Sequence, residues 1–261
     1  LRQVLFRNFQ MLDPERDDTF FITGMAPIID AQEIVHHILL FSMDRDRIPS
    51  DYTDQGYDCI DDEGPVNGMI TGWAPGAVPM RLDEGGVRVA SDQVLVMQMH
   101  YFQTAPDPIA DQSGYQFITS DTGPVVQMLP LGSYDFFIPA GEEEVTHQDS
   151  FRNTYGLAIQ AQAVFPHMHV LGSGYRMWLE RADGSTQCMA ESEAYDFNNQ
   201  LNYQYKEPLR IEDGDTVHWE CTWNNSESNP FRILDEPRDT RYGERTDEEM
   251  CFFFTLGGLG G

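Results

Sequence analysis

The chain has 261 residues, of which 43 are acidic and 16 basic, so its net charge is −27. Such a surface repels nucleic-acid phosphates and anionic membranes, and no apolar run approaches the ~18 residues that span a bilayer. The length fits two domains, and 41% hydrophobic residues with 22 glycines and 15 prolines exclude a disordered chain. Four cysteines are too few for a disulfide scaffold but allow one or two bridges.

Most segments alternate between apolar and polar residues and end in turn residues, which predicts antiparallel strands. No long segment has a helical period, so the expected fold class is all-β, with the strands packed as sandwiches. Asp183-Gly184 predicts a hairpin turn. In chain order, the clearest apolar or alternating runs cover 34–41, 94–102, 157–165 and 217–223. The third run predicts one apolar face that leads into His167 and His169 and consists of Leu157, Ile159, Ala161, Ala163 and Phe165.

The polar, breaker-rich stretch 119–124 lies near the middle of the chain and predicts a linker. It divides the sequence into an N-terminal domain, 1–122, and a C-terminal domain, 123–261. Each predicted domain contains histidines in suggestive groupings.

His36 and His37 are adjacent inside the apolar run 34–41. Neighbouring strand residues point to opposite faces, so both can bind one ion only if the backbone bulges or the rings use different nitrogens. Taken alone, the pair also fits core histidines satisfied by hydrogen bonds.

His167 and His169 form a simpler pattern. Positions i and i+2 of a strand point the same way, so two imidazoles converge on one metal. His100, taken alone, is equally typical of a core or rim histidine.

The end of the chain adds a possible soft ligand, Met250, next to Cys251. A thioether suits copper, particularly Cu(I), and is a poor ligand for zinc or magnesium. By position alone Met250 also fits simple packing. Cys251 can reach Cys221 if their strands are neighbours.

Five stretches together resemble the type II, ascorbate-dependent copper monooxygenases, the family of dopamine β-hydroxylase and the peptidylglycine amidating enzyme. They occur in family order across about 221 residues, and the last two forms look closest to bacterial members. The stretches are IVHHILLF (34–41), GWAPGA (72–77), VMQMHYF (96–102), FPHMHVLGSGYR (165–176) and RYGERTDEEMCFFF (241–254).

The resemblance implies two jelly-roll β-sandwiches, each with one copper. The electron-transfer copper of the first domain maps onto His36, His37 and His100, with Gln98 beside the third histidine. The oxygen-binding copper of the second domain maps onto His167, His169 and Met250. Ascorbate, or a similar one-electron reductant, reduces both ions, and O2 then hydroxylates a C–H bond of a small organic substrate.

Departures from the amidating enzyme bear on the substrate. Phe165 replaces an arginine that binds the peptide carboxylate, and Phe252 and Phe254 stand where an asparagine and a tyrosine serve the substrate. Peptidylglycine is therefore not expected. The three phenylalanines indicate an apolar or aromatic substrate, or core packing.

The cysteines indicate the compartment. The resemblance favours a Cys221–Cys251 disulfide, hence a secreted or periplasmic protein. Cys59 lacks its usual family partner, since Asn8 stands there, and Cys188 has no family counterpart.

Three alternatives remain open at this point. They are a non-catalytic copper-binding protein on the same fold, a zinc hydrolase with one three-histidine site, and a lectin-like β-sandwich module.

Overall fold

The computed structural model describes residues 4–8, 18–48, 66–101, 107 and 109–260. Cys59 and Phe102 lie outside them. The strands up to residue 120 are β1 (Val4–Asn8), β2 (Phe20–Ile28), β3 (Val35–Asp44), β4 (Gly68–Trp73), β5 (Met80–Arg81), β6 (Gly86–Val89), β7 (Gln93–Tyr101) and β8 (Gly114–Ser120). The later strands are β9 (Val125–Gly132), β10 (Phe137–Ile138), β11 (Val145–Arg152), β12 (Ala158–His167), β13 (Gly172–Glu180), β14 (Thr186–Ser192), β15 (Tyr203–Ile211), β16 (Thr216–Trp223), β17 (Thr240–Arg241) and β18 (Phe252–Gly260).

The predicted all-β fold class is confirmed. Across the described residues, the one helical segment is a 3-10 turn at Arg45–Arg47. The chain divides into two compact units, residues 1–128 and 129–261. The predicted hairpin is present, because β13 pairs with β14 and Gly184 between them has φ +82°.

Unit 1 contains a four-stranded sheet in the order β1-β7-β3-β4. Its other strands gather around β2, which pairs with β5, β6 and β8. These pairings are antiparallel, whereas β6 pairs in parallel with the first residues of β9. The four-stranded sheet carries the predicted histidine pair on β3 and His100 on β7.

Unit 2 is a sandwich of two sheets. One has the order β11-β16-β13-β14, and the other contains β15, β12 and β18. Both contribute to one core, which includes Val164 from β12, Trp219 from β16 and Phe253 from β18. Burying large aromatic side chains stabilises such a core by roughly 1.5–3 kcal/mol each.

The alternating run at 217–223 was predicted correctly, because Val217, Trp219, Cys221 and Trp223 are all buried while the residues between them are less so. The predicted apolar face of the run 157–165 is wrong at Leu157, which is exposed, and wrong again beyond Ala161. The register of β12 shifts between Ala161 and Ala163, which is a β-bulge.

That bulge decides which way His167 points. A one-residue insertion exchanges the two faces of a strand, so Ala161 and Val164 both enter the unit 2 core. Phe165 and His167 consequently lie on the opposite face of β12.

Candidate metal centres

Three histidines meet where β3 pairs with β7. His37 lies opposite His100 in the register, so their side chains share one face of the sheet. The register shifts between Val35 and His37, which makes His36 the extra residue of a β-bulge. The bulge brings the adjacent rings together: Nδ1 of His37 lies 3.2 Å from Nδ1 of His36 and 3.2 Å from Nδ1 of His100.

This spacing fits a bound metal ion. The ligand atoms of the three rings lie within 4.8 Å of one another, and within the described part of the chain this is the one group of three His, Cys, Asp or Glu side chains so arranged. Nitrogens bound tetrahedrally at about 2.0 Å from an ion are about 3.3 Å apart. Burial lowers the pKa of His100 to about 4, so its ring is neutral at pH 7, the form that binds metals.

Gln98 lies two residues before His100 on β7 and opposite Leu39 of β3. Strand alternation puts the Gln98 side chain on the same face as His100. It is buried, with 8% of its surface exposed. Its position is thus next to the histidine cluster along the strand.

The other predicted histidine pair lies in unit 2, where the ring centroids of His167 and His169 are 5.2 Å apart. β12 ends at His167, so His169 belongs to the turn before β13 rather than to a strand. The turn, not the strand repeat, therefore brings the rings together. The Tyr195 hydroxyl holds this turn, because it donates to the carbonyl of Met168 at 2.6 Å and accepts from the Met168 N–H at 3.2 Å.

Hydrogen bonds fix the orientation of both rings in this pair. Nδ1 of His167 lies 2.7 Å from Oε1 of Gln200, whose amide nitrogen donates to the carbonyl of Phe197. Nδ1 of His169 lies 3.0 Å from the carbonyl oxygen of Glu248. Both partners are acceptors, so each Nδ1 carries the proton and each Nε2 keeps its lone pair as the ring's metal donor. Burial lowers the pKa of His167, although the Gln200 bond opposes it, which favours the neutral ring.

Met250 is half-buried and lies two residues before the start of β18. Its backbone N–H donates to Oε2 of Glu249 at 3.2 Å, and the backbone N–H of His169 donates to the same oxygen at 3.0 Å. The two backbone positions therefore meet at one carboxylate. Burial raises the pKa of Glu249 to about 7, and N–H bonds to the carboxylate oppose the shift.

Aromatic side chains cover the sheet face beside His167. Phe165 pairs with Phe254, and His167 pairs with Phe252, so all four lie on the same face of β12 and β18. The rings of Phe252 and Phe254 stack with centroids 5.6 Å apart, and Phe254 lies 6.3 Å from the ring of His167. The three phenylalanines singled out in the sequence thus form one surface with a predicted ligand.

Two tyrosines extend this aromatic face. The Tyr134 ring lies 5.1 Å from Phe252 and 4.8 Å from Tyr242, and 62% of Tyr134 is exposed. Gly132 lies beneath Phe252, since a Cβ at position 132 would come 2.4 Å from Cδ1 of that ring. Tyr134 carried no signal in the sequence, because nothing local relates it to residue 252. Tyr242 stands in the recognised stretch 241–254, but nothing in that stretch marked it as part of an aromatic face.

The predicted disulfide between Cys221 and Cys251 is present and connects β16 to the residue before β18. Disulfides are typical of proteins that fold in an oxidising compartment. Cys188 is an exposed free thiol. Across the described residues, no helix is long and apolar enough to cross a membrane.

Part of the chain matches a known protein family. Residues 125–256, just over half of the chain, match the family described as copper type II ascorbate-dependent monooxygenase, C-terminal domain. This segment contains His167, His169 and Met250, the three ligands expected in the second domain.

Relatives match over most of the chain. DBH-like monooxygenase protein 2 of Mus musculus is 26% identical over 92% of this chain and 43% of its own length. Putative DBH-like monooxygenase protein 2 of Homo sapiens is 25% identical over 93% of this chain and 54% of its own length. The chain thus spans about half the length of the curated relatives it matches, and it belongs to the copper type II ascorbate-dependent monooxygenase family.

Proposed function

We propose that the chain is a monooxygenase that binds two copper ions and hydroxylates a C–H bond of a small organic substrate, using O2 and ascorbate or a similar one-electron reductant. The first copper is held in unit 1 by His36, His37 and His100. The second is held in unit 2 by His167, His169 and Met250. Residues 1–122 and 123–261 are the corresponding functional domains.

One observation carries the proposal for unit 2. Each ring of the His167 and His169 pair gives its Nδ1 proton to a fixed acceptor, Gln200 Oε1 or the Glu248 carbonyl. Histidines that bind metals in proteins are commonly oriented in this way, because the bond fixes the tautomer and makes the other nitrogen a better donor. Core histidines are also hydrogen-bonded, but two neighbouring rings that both give their Nδ1 proton to an acceptor, inside the segment that matches the family, favour a metal site.

The two donor sets suit different tasks. Bound copper supplies one-electron transfer in unit 1 and an oxygen-binding position in unit 2. The three imidazoles of unit 1 are neutral ligands that tolerate either oxidation state. The thioether of Met250 favours Cu(I), the state that reacts with O2. Gln98, on the same strand face as His100, stands next to the electron-transfer ligands and polarises their surroundings.

The aromatic face beside His167 supports an apolar or aromatic substrate. Phe165 and Phe254 offer partly exposed ring surfaces without charge, and buried Phe252 stacks against Phe254. They bind a substrate by dispersion and desolvation rather than by pairing with a carboxylate. Phe254 is only partly buried and its ring is 6.3 Å from that of His167. A ring or alkyl group packed there is held close to the proposed oxygen site.

The disulfide supports a secreted or periplasmic location. Cys221 and Cys251 form a bond that reducing compartments do not maintain. The same bond anchors the chain immediately after Met250, so an oxidising environment also serves the proposed copper site.

The test is copper analysis of the ascorbate-reduced protein, combined with X-ray absorption spectroscopy, for the wild type and Met250→Ala. We expect two coppers per wild-type chain and a sulfur scatterer that disappears in the variant. Copper-dependent consumption of O2 and ascorbate, coupled to a hydroxylated product from a panel of small aromatic compounds, then tests turnover.

Two results contradict the proposal. A single copper, or a spectrum without sulfur, removes the second site. Two coppers without coupled product formation indicate a copper-binding protein that does not turn over.

A further inference from the structure

The carboxylate of Glu249 is the most heavily hydrogen-bonded acidic group near the unit 2 site. The residue has no exposed surface. Its two carboxylate oxygens accept hydrogen bonds from four N–H groups. Oε1 accepts from the Leu171 backbone at 2.7 Å. Oε2 accepts from the backbones of His169 at 3.0 Å and Met250 at 3.2 Å, and from the Trp223 indole at 3.0 Å.

These bonds join two segments that are far apart in the sequence. His169 and Leu171 belong to the turn after β12, whereas Glu249 leads directly into Met250, some 80 positions later. Neighbouring Glu248 adds a bond from its carbonyl to Nδ1 of His169. The backbone and the ring of His169 are therefore both held by residues 248 and 249.

Stability alone is a poor explanation for an acidic group in this place. A buried carboxylate loses its hydration, which its hydrogen bonds must offset, and backbone N–H groups in turns are commonly satisfied without a buried acid. What an apolar side chain lacks is the ability to fix three backbone N–H groups relative to one another. The arrangement favours a positioning role over a packing role.

We propose that Glu249 is a positioning residue that sets the separation between His169 and Met250, and so determines whether a nitrogen and a sulfur ligand reach the same copper ion. This inference rests on the proposed function, because it requires both residues to be copper ligands. It adds a residue that acts through the ligands without touching the metal.

Two substitutions separate the effect of the bonds from that of the charge. Glu249→Ala removes the acceptors for all four N–H groups. Glu249→Gln keeps one oxygen, and three of the four donors converge on Oε2. An amide turned with its oxygen at that point retains the His169, Met250 and Trp223 bonds, while its nitrogen, a donor, takes the place of the oxygen that accepts from Leu171.

Asn153→Ala is a matched control. Asn153 is also fully buried and also anchors backbone, since its amide donates to the carbonyls of Leu157 and Ile211 and its oxygen accepts from Tyr155. These three hydrogen bonds go to neither the turn after β12 nor residues 248–250. The variant therefore reports how a comparable loss of buried hydrogen bonds in unit 2 affects copper binding indirectly.

The experiment is a Cu(I) competition titration against bathocuproine disulfonate, with X-ray absorption of the Cu(I)-loaded protein. For Glu249→Ala we expect one of the two copper affinities to fall by about 10- to 100-fold, together with loss of the sulfur signal, while the other affinity is unchanged. Glu249→Gln should stay within about three-fold of the wild type and keep its sulfur signal. Asn153→Ala should bind both ions as the wild type does.

Each contrary outcome has a distinct meaning. If Glu249→Ala keeps the copper affinity and the sulfur signal of the wild type, the inference is overturned and the proposed function stays intact. If Asn153→Ala loses as much copper affinity as Glu249→Ala does, the inference is overturned as well. If Glu249→Ala does not fold, the test rests on Glu249→Gln. A ten-fold or greater loss of copper affinity in the folded Glu249→Gln protein then overturns the inference. A wild-type protein that binds no copper with a sulfur ligand overturns the proposed function, and the inference with it.

Discussion

Gln200 and His167 are 33 positions apart in the sequence, yet Oε1 of the amide lies 2.7 Å from Nδ1 of the ring. The amide cannot turn over without losing a second bond, because its nitrogen donates to the carbonyl of Phe197 at 2.9 Å. The glutamine is therefore a fixed acceptor, and it assigns the proton of His167 to Nδ1.

Replacing this acceptor should weaken copper binding in unit 2. Gln200→Leu keeps the approximate volume but leaves the tautomer and the ring angle of His167 unfixed. In the competition titration we expect the Cu(I) affinity of the proposed unit 2 site to fall by about 10- to 100-fold. The Cu(I) affinity of the proposed unit 1 site should be unchanged. Gln200→Glu retains an acceptor and should bind copper more tightly than Gln200→Leu; equal weakening in both variants would argue against the hydrogen bond as the cause.

Gly132 should be needed for the aromatic face beside His167. The Cβ of Gly132→Ala would lie 2.4 Å from a ring carbon of Phe252, which is buried and cannot easily move aside. We expect the free energy of unfolding to fall by about 1–3 kcal/mol, as for other overpacked sites. Gly68→Ala is the control, because a Cβ there meets nothing within 4 Å and should leave the unfolding curve unchanged.

The disulfide should stabilise unit 2 by restricting its unfolded chain. Cys221 and Cys251 close a loop with a sequence separation of 30, which corresponds to about 3.5 kcal/mol in the chain-entropy treatment. The double variant Cys221→Ala, Cys251→Ala should lose a comparable free energy of unfolding in urea titrations. Cys188→Ser changes only an exposed thiol and should unfold like the wild type; similar losses in both proteins would speak against a specific role of the bridge.

The sequence allowed correct prediction of features that depend on local pattern or on residue chemistry. The alternation at 217–223 identified the core face of β16. The Cys221–Cys251 pairing was favoured by the family resemblance, because the residues alone left it conditional on their strands being neighbours. The adjacent His36 and His37 even indicated a bulge as one of two solutions, since no flat strand directs neighbours to the same side.

Features that depend on register could not be predicted. Nothing in the run 157–165 marks the bulge after Ala161, yet this bulge turns His167 away from the core. Gln200 and Tyr195 come from loops whose positions are set by tertiary packing. Glu249 did stand in a recognised stretch, beside Met250, but an acidic residue in an acidic chain gave no reason to expect it to be fully buried.

Asp111 should make the stability of unit 1 depend on pH. It accepts hydrogen bonds from the Tyr101 hydroxyl at 2.8 Å, the Ser113 hydroxyl at 2.6 Å and the Ala31 N–H at 3.2 Å. It thereby connects the residue after His100 to the segment before β3. Burial raises the pKa of Asp111, but these bonds outweigh it and leave the pKa below its ordinary value.

Because the folded pKa is lowered, the charged carboxylate contributes stability above the unfolded value of about 3.9, and this is lost as the pH falls through the folded value. Asp111→Asn should therefore lose about 1.5–3 kcal/mol at pH 7 and less at pH 3, below the unfolded value. Urea unfolding of both proteins at the two pH values tests this. If the free energies of unfolding of the wild type and Asp111→Asn differ by the same amount at both pH values, the carboxylate charge is not involved.

The charge of −27 should slow the reaction with an anionic reductant. Ascorbate is a monoanion at pH 7, so the protein repels it over a distance that shrinks from about 30 Å at 0.01 M salt to about 8 Å at 0.15 M. We expect the rate of reduction of the copper-loaded protein to rise with added salt in stopped-flow measurements. Hexaammineruthenium(II), a cation, should show the opposite dependence. A rate of copper reduction by ascorbate that does not change with salt would contradict this prediction. It would mean that residues near the point of electron entry, rather than the net charge, set the electrostatic potential there.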